Sequence, residues 1–176
     1  MILQIGENRL SGEIPDCWMN WQSLEVITLG DNNLTGTIPS SMGLLGSLRS
    51  LLLGSNRFSG PLPLVSSNLE ELDLSNNSFS GGLSHFLCDA NDKQNHLAIL
   101  HLGENRLSGE MPDCWMNWQS LEVIKLGDNN LTGTIPSSMG VLTMLRSLHL
   151  RNNSLCGEVP LSLQNCTELV TLDLGE

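Results

Sequence analysis

The stretch LEVIKLGDNNLTGTIPSSMGVLTM, residues 121–144, contains a pattern that recurs along the whole chain about every 24 residues. Clear copies begin at Leu24, Leu97 and Leu145, and they follow the pattern L-x-x-L-x-L-x-x-N-x-L-x-G-x-I-P, with another apolar residue at some of its Leu and Ile positions. Self-similarity at a fixed short period is the sequence signature of a solenoid, in which each repeat packs only against its neighbours. The pattern therefore predicts one elongated domain whose core is a stack of leucines.

The leucine spacing within residues 121–144 predicts a short strand. Leu121, Ile124 and Leu126 place apolar side chains on one inward face. Asn129 follows the strand, where its amide can bond backbone groups that a bent chain leaves without partners. We expect all such asparagines to be buried and bonded to backbone. The counterparts of Asn129 in the other repeats are Asn8, Asn32, Asn56, Asn77, Asn105 and Asn153.

The end of the motif predicts a change of direction. Gly133 permits a backbone conformation that other residues resist, and Pro136 fixes φ where a returning, convex segment begins. We place repeat starts near residues 1, 24, 48, 69, 97, 121 and 145, with a partial repeat from 169, in a single domain over residues 1–176.

Two repeats depart from the common length. The repeat from Leu48 has about 21 residues, whereas the repeat from Leu69 has about 28 and carries Ser84 in place of the proline. The excess lies in Cys88–His96, and insertions in solenoids form loops. Asp89, Asn91 and Asp92 raise the alternative of a calcium site, but the spacing matches no calcium-loop signature and lacks a terminal Glu ligand. We therefore predict a solvated loop.

A longer period is superimposed on the short one. Residues 3–47 resemble residues 100–144 at nearly every position, with differences such as Gln4 against His101 and Thr28 against Lys125. Two explanations remain open, a recent internal duplication or an engineered chain.

Charge and composition narrow the function. The net charge of −11 disfavours nucleic-acid binding, which needs clustered Lys and Arg. No apolar run approaches the roughly 20 residues that span a bilayer, and MILQIGENRL lacks the apolar region of a signal peptide. Five N-x-S/T sequons point to the secretory pathway, although the repeat itself also generates them. They lie at Asn33, Asn76, Asn130, Asn152 and Asn165.

The segments LSGEIP, from Leu10, and LTGTIP, from Leu34 and again from Leu131, resemble the plant-specific class of leucine-rich repeat. The stretch HFLCDANDKQNHLAILHLGENRLSGEMPDCWMNWQSL, residues 85–121, resembles the ectodomains of plant receptor-like proteins of the disease-resistance type, such as those for apple scab or tomato leaf mould. This resemblance covers essentially the whole chain.

The resemblance implies an α/β solenoid with a right-handed superhelix, a concave parallel sheet and a convex side of short helical turns. It also implies recognition of an extracellular peptide, protein or glycan, a co-receptor kinase as partner, and membrane attachment only through segments outside this sequence. Because the terminal repeats lack the polar caps that solenoids need, we expect a fragment of a longer ectodomain.

Five cysteines are present, and none forms a C-x-x-C pair, which disfavours a zinc site. Cys88 and Cys114 lie on the convex stretches of adjacent repeats, so a disulfide between them would pin the long repeat to its neighbour. We predict that bond, with two free thiols as the alternative. Cys17 matches Cys114 in the duplicated block, and we expect it to be a free thiol.

The aromatic residues and Cys166 follow the same repeat logic. Trp18, Trp21, Trp115 and Trp118 fit inward positions of a convex turn, where core packing is favoured over a stacking platform for sugars or bases. Cys166 occupies the position of Trp21 and Trp118, which predicts a buried thiol.

No catalytic constellation is evident. His101 and His149 lie two strands apart in one column of the predicted sheet, near 10 Å, so one metal ion cannot bind both. A shallow open sheet does not desolvate paired carboxylates or a Ser-His-Asp group. We therefore predict a non-enzymatic protein with no metal and no cofactor.

The outward positions of the predicted concave sheet are the candidate binding site, with a solvated, repeat-inherited acidic surface as the alternative. Apolar residues would supply affinity and carboxylates would select basic partners. The candidates are Val26, Thr28, Leu52, Asp73, Ile99, His101, Glu104, Val123, Lys125, Asp128, His149 and Arg151.

The sequence thus favours the recognition module of a plant cell-surface receptor-like protein, working in defence or development. Two alternatives remain. A secreted inhibitor of a microbial cell-wall hydrolase would suit a basic concave face better than this acidic one. A structural or ice-binding solenoid would need a flat, uncharged array rather than these charged, irregular columns.

Overall fold

The computed structural model describes residues 1–89 and 95–175. Its strands, numbered along the chain, alternate between two parallel sheets. The eight-stranded sheet consists, in spatial order, of β1 (Ile2–Gln4), β3 (Val26–Thr28), β5 (Ser50–Leu52), β7 (Glu71–Asp73), β9 (Ile99–His101), β11 (Val123–Lys125), β13 (Ser147–His149) and β15 (Thr171–Asp173). Each repeat thus contributes one strand beside that of the repeat before it.

The first seven repeats each contribute a second strand, later in the repeat, to another parallel sheet. It consists of β2 (Ser11–Glu13), β4 (Asn33–Gly36), β6 (Arg57–Gly60), β8 (Ser78–Gly81), β10 (Arg106–Glu110), β12 (Asn130–Gly133) and β14 (Ser154–Leu155). The repeat pattern predicted only the first of these two sheets. The L-x-G letters form the second sheet, and the glycine takes a left-handed conformation, with φ +76° at Gly133.

Short helices return the chain to the next repeat, as the prolines predict. Pro136 precedes the 3-10 helix Ser137–Val141, and the proline of two other repeats has the same place. The 3-10 helices are Trp18–Asn20, Ser40–Leu44, Trp115–Asn117, Ser137–Val141 and Leu161–Asn165, and the long repeat has the α-helix α1 (Ser84–Cys88). Asn91 and Asp92 of the calcium alternative lie outside the described residues.

The core is the predicted leucine stack. Leu121, Ile124, Leu126 and Leu131 are fully buried, and their counterparts in neighbouring repeats continue one apolar cluster through the molecule. Because a strand alternates, the central side chain of each of the six inner strands of the eight-stranded sheet is buried, and its flanking side chains stay partly or fully open to solvent. This alternation positions the candidate site.

The tryptophan prediction is correct for three of the four side chains. Trp18, Trp115 and Trp118 are buried, but Trp21 is 44% exposed. The prediction for Trp21 was wrong because Trp21 lies in the first turn, which has a packed neighbour on only one side in this structure. Burial in a solenoid requires the adjacent turn.

Candidate functional site

Nine of the twelve predicted candidate residues lie at the outward positions of the eight-stranded sheet, and Glu104, Asp128 and Arg151 follow its strands. The strand register aligns Gln4, Thr28, Leu52, Asp73, His101, Lys125, His149 and Asp173 in one column. A second column holds Ile2, Val26, Ser50, Glu71, Ile99, Val123, Ser147 and Thr171. Apolar side chains such as Leu52 and Val123 are only partly buried and lie beside charged ones. The surface is continuous across the repeats.

One charged cluster of this face centres on Asp73. Its carboxylate accepts hydrogen bonds from the backbone N–H and hydroxyl of Ser75, at 2.9 and 2.6 Å, and lies 3.5 Å from His101 Nδ1. Burial opposes ionisation, but hydrogen bonds from His101 and Ser75 outweigh it and hold the pKa of Asp73 below its usual value. Asp73 is therefore an ionised, partly shielded group at neutral pH.

A matching cluster lies on the far side of Lys125. His149 Nδ1 is 3.4 Å from an Asp173 carboxylate oxygen, and its Nε2 is 2.8 Å from the Ser147 hydroxyl. Lys125 lies between His101 and His149 in the register. Lys125 thus lies between two imidazoles, each of which has a carboxylate beside it.

Asp128 forms a third cluster at the exit of the sheet. It accepts a 2.6 Å hydrogen bond from the Asn152 amide and pairs with Arg151 at 3.2 Å. The Asn152 hydrogen bond is the main reason that the pKa of Asp128 lies below its usual value; burial opposes the shift and Arg151 adds to it. Asp128 and Arg151 were predicted as binding candidates, and in the structure each already has a local partner.

The residue that follows each outward glycine has a left-handed backbone. Glu104 and Asp128 have φ of 56° and 59°, values uncommon for residues other than glycine, asparagine and aspartate. The same conformation recurs at Glu7, Asp31, Ser55, Asn76 and Asn152. These residues, four of which are acidic, form a column beside the sheet. Their left-handed conformation was not predicted from the sequence.

The asparagine ladder joins the turns beneath this face. Asn105 Oδ1 accepts the Phe79 N–H at 2.9 Å, and its amide donates to Leu74 O at 3.0 Å in the preceding turn. Asn129 makes the equivalent bonds, to Leu107 and Leu102. The predicted bonding is confirmed, although these side chains are half-buried rather than buried.

Asn8 is the exception in the ladder. Its side chain is exposed, and its amide bonds only the Ile5 and Gly6 carbonyls of its own turn. The prediction of a buried Asn8 was wrong because no turn packs against that side of the first repeat in the structure.

The cysteine predictions agree with the structure. Cys88 and Cys114 form a disulfide with Cα atoms 5.2 Å apart, and Cys17 is an exposed free thiol. Cys166 is buried as predicted, and burial raises the pKa of its thiol. Cys156 is also free and exposed.

The predicted sequon asparagines differ in accessibility. Asn130 and Asn165 are exposed, whereas Asn33 is half-buried in β4. Asn76 and Asn152 are exposed, but both amides already donate to neighbouring side chains, Ser55 and Asp128. We rank Asn130 and Asn165 as the most accessible acceptors.

Within residues 1–89 and 95–175, no group of three or more His, Cys, Asp or Glu side chains could hold a metal ion. The same residues contain no helix of the length and apolarity needed to cross a membrane.

Family models and known proteins match this chain. The Leucine rich repeat family model matches residues 1–58 and 95–155, and a second Leucine Rich Repeat model matches residues 68–90. Receptor-like protein EIX2 of Solanum lycopersicum is 39% identical over 61 residues, which is 35% of this chain and 6% of that protein.

Solved receptor structures match nearly the full chain. A TDR receptor gives a TM-score of 0.90 at 37% identity, over 98% of this chain and 30% of that one. Plant peptide hormone receptor RGFR1 in complex with RGF2 gives 0.89 at 34%, over 99% and 28%. Arabidopsis receptor kinase HAESA, in complex with the peptide hormone IDA and the co-receptor SERK1, gives 0.73 at 33%, over 98% and 33%.

This chain therefore spans a third or less of the length of these relatives. The two sheets and the asparagine ladder are consistent with these matches to leucine-rich-repeat proteins. The chain belongs to the leucine-rich-repeat family, in its plant receptor-like class.

Proposed function

We propose that this chain is a non-enzymatic recognition module of a plant cell-surface receptor-like protein, located outside the cell. It binds an extracellular peptide, protein or glycan in defence or development. The observation that carries the proposal is the outward face of the eight-stranded sheet, where partly exposed apolar side chains lie beside charged ones. Leu52 is in register with Asp73, and Val123 lies on the same strand as Lys125. The resemblance to the RGFR1 and HAESA ectodomains, each bound to a peptide, supports it.

A basic or mixed peptide suits this face best. Glu104 is exposed, and no ion pair involves it among the described residues. Asp31 and Glu7 extend the same column of carboxylates. Exposed Ile99 and half-buried Val123 lie beside this column on adjacent strands and offer apolar contact. Association should weaken with added salt, because part of the attraction is between exposed charges.

We further propose a co-receptor kinase as partner of the complete protein. HAESA is seen with the co-receptor SERK1 and a peptide in one complex, and its ectodomain shares this fold. A right-handed superhelix, with this sheet on its concave side, is part of the same proposal.

The test is a charge swap on the sheet with a matched control. Peptides secreted by plant tissue are captured on the immobilised chain, identified by mass spectrometry and synthesised. Their dissociation constants are measured by calorimetry for wild type, for Glu104→Lys, and for Glu168→Lys, an exposed position outside both sheets. We expect Glu104→Lys to weaken binding by about tenfold, or roughly 1.4 kcal/mol, and Glu168→Lys to leave it unchanged.

Glu104→Lys is preferred to Asp128→Lys as the first variant. Asp128 accepts a hydrogen bond from Asn152 and forms an ion pair with Arg151, so its replacement also disturbs the local fold. Combining Glu104→Lys with Asp128→Lys is informative only after circular dichroism shows intact structure. Equal affinity for wild type, the Glu104→Lys chain and the control would place the binding face elsewhere.

A further inference from the structure

Three polar side chains meet on the outward face of strands β13 and β15. Ser147 and His149 are two positions apart on β13, so both point outward, and the register places Asp173 opposite His149. The Ser147 hydroxyl oxygen lies 2.8 Å from His149 Nε2, and His149 Nδ1 lies 3.4 Å from an Asp173 carboxylate oxygen. No Ser-His-Asp group was predicted from the sequence, and the structure brings one together here.

The order of these contacts is that of a nucleophile, a general base and a group that orients the base. A nucleophilic serine is recognised by a base within hydrogen-bond reach of its oxygen and by a third group that holds the base. A carboxylate beside Nδ1 favours the tautomer with its proton on that nitrogen, so Nε2 can accept the proton of Ser147. The side chains of His149 and Asp173 are 30% and 34% exposed. A reagent can therefore reach them, although each is partly shielded from water.

The other strands of this sheet hold the arrangement only in part. Strand β9 has a histidine beside a carboxylate, but Ile99 takes the position of Ser147. Strand β5 has Ser50 at that position, but Leu52 takes the position of the histidine. Of the eight strands that the structure describes, β13 alone supplies both the hydroxyl and the imidazole.

The neighbouring strands determine which reagent fits beside Ser147. Val123 is in register with Ser147, and Ile99 is in register with Val123, so an apolar ring beside the hydroxyl meets apolar side chains. Lys125 is in register with His149 and forms no ion pair among the described residues. Its ammonium can offset the negative charge that develops on a carbonyl oxygen under attack. An aryl ester offers both the apolar ring and the carbonyl group.

We propose that Ser147 is an acylation site, which takes the acyl group of an aryl ester. His149 acts as the general base, and Asp173 is a positioning residue that holds the imidazole. The reaction modifies the chain once and is not a turnover. It goes beyond the proposed recognition of a ligand and does not depend on it.

The step is an acyl transfer without a redox change. His149 Nε2 takes the hydroxyl proton while Ser147 Oγ bonds to the carbonyl carbon. The bond from that carbon to the aryl oxygen then breaks, and the phenolate leaves with the proton from His149. The backbone N–H of Ser147 already donates to Glu122 O at 3.1 Å, so it does not stabilise the carbonyl oxygen. Without such a donor the acyl-serine hydrolyses slowly and accumulates.

The experiment treats the oxidised full chain with 4-nitrophenyl acetate at neutral pH. After an acid quench and tryptic digestion, tandem mass spectrometry locates the acetyl groups over time. Trypsin releases Ser147 within residues 147–151 and Ser50 within residues 50–57. Ser50 is the matched control in the same molecule, because it has the same strand position without an imidazole. We expect Ser147 to be acetylated at least about a hundredfold faster than Ser50, since a positioned general base contributes about 10²–10⁴-fold.

Three variants, each checked by circular dichroism, test the roles of the other two side chains. His149→Gln should lower the acetylation of Ser147 to the rate of Ser50. Asp173→Asn should lower it at least about tenfold, a small part of the loss that this change causes in a buried triad, and Asp173→Glu should restore it by returning the carboxylate. Equal rates at Ser147 and Ser50 in the wild-type chain, acetylation confined to Lys125, or an unchanged rate in the His149→Gln chain would each overturn the proposal.

Discussion

Residues 3–47 and 100–144 differ at only seven of 45 positions, yet they have different environments. Leu102 and Leu107 are fully buried in the second block, whereas their equivalents Ile5 and Leu10 are 40% and 41% exposed. The difference comes from the turn at residues 69–89, which covers only the second block. The repeated residues therefore specify the shape of a turn, whereas the burial of its side chains depends on the neighbouring turn.

The asparagine pair should show the largest contrast between the blocks. Asn105→Leu removes partners from Phe79 N–H and Leu74 O in the adjacent turn, at about 1–3 kcal/mol for each group left unsatisfied. Asn8→Leu should stay within about 0.5 kcal/mol, because the Asn8 side chain bonds only carbonyls of its own exposed turn. Urea unfolding of both variants measures the difference. Equal losses would show that the ladder stabilises each turn separately.

The tryptophan pair should come next. Trp118→Ala removes a buried side chain that stacks on Phe86, and we expect a loss of about 3–5 kcal/mol in the free energy of unfolding. Trp21→Ala removes a side chain that is already 44% exposed, so we expect less than half that loss. Denaturant titrations of the two variants give the comparison. A loss at Trp21 as large as that at Trp118 would mean that the first turn packs more tightly than the structure shows.

The cysteine pair tests the covalent difference. Cys114→Ser breaks the bond to Cys88, and we expect a loss of about 2–4 kcal/mol in oxidised protein. Cys17→Ser should change stability by no more than about 0.5 kcal/mol, because Cys17 is a free surface thiol. Repeating both measurements under reduction is the control, and the two variants should then behave alike. A persistent gap would assign the effect to packing.

The smallest predicted effect concerns Gln4 against His101, one of the seven differences. His101→Gln removes a group that helps to hold the pKa of Asp73 below 3.8, so that pKa should rise towards 3.8. A carboxyl whose pKa is lowered by folding adds stability above its unfolded pKa and loses it as the pH falls through the folded value. Nuclear magnetic resonance titration of Asp73 measures the shift.

His149→Gln is the control for that titration, because His149 lies two strands from His101 and pairs with Asp173. It should leave the Asp73 titration unchanged. If Asp73 titrates in the His101→Gln chain as it does in the wild-type chain, the lowered pKa is assigned to Ser75 alone.

Much of the fold was predictable because the repeat constrains each position in the same way. The spacing of Leu121, Ile124 and Leu126 predicted the strand, and Asn129 predicted a backbone-bonding side chain; both predictions are confirmed. The disulfide between Cys88 and Cys114 followed from their places on adjacent turns. The seven-stranded sheet was missed, because the L-x-G letters are too short and too polar to indicate a strand by periodicity.

The positions of the candidate residues on the sheet were predictable, but their hydrogen bonds and ion pairs were not. The outward columns follow directly from the two-residue alternation of a strand. The hydrogen bonds from Ser75 to Asp73 and from Asn152 to Asp128 were not predicted, because the first depends on the path of the chain directly after β7 and the second on the distance between neighbouring turns.

The solenoid, the inward leucines, the asparagine ladder and the outward face could be inferred from the repeat pattern, because a fixed period gives every repeat the same local geometry. The packing of the turns determines which of two nearly identical blocks is covered, which carboxylates are already paired, and where the second sheet forms. These properties depend on contacts between turns, and the sequence of a single turn does not specify which turn packs against it.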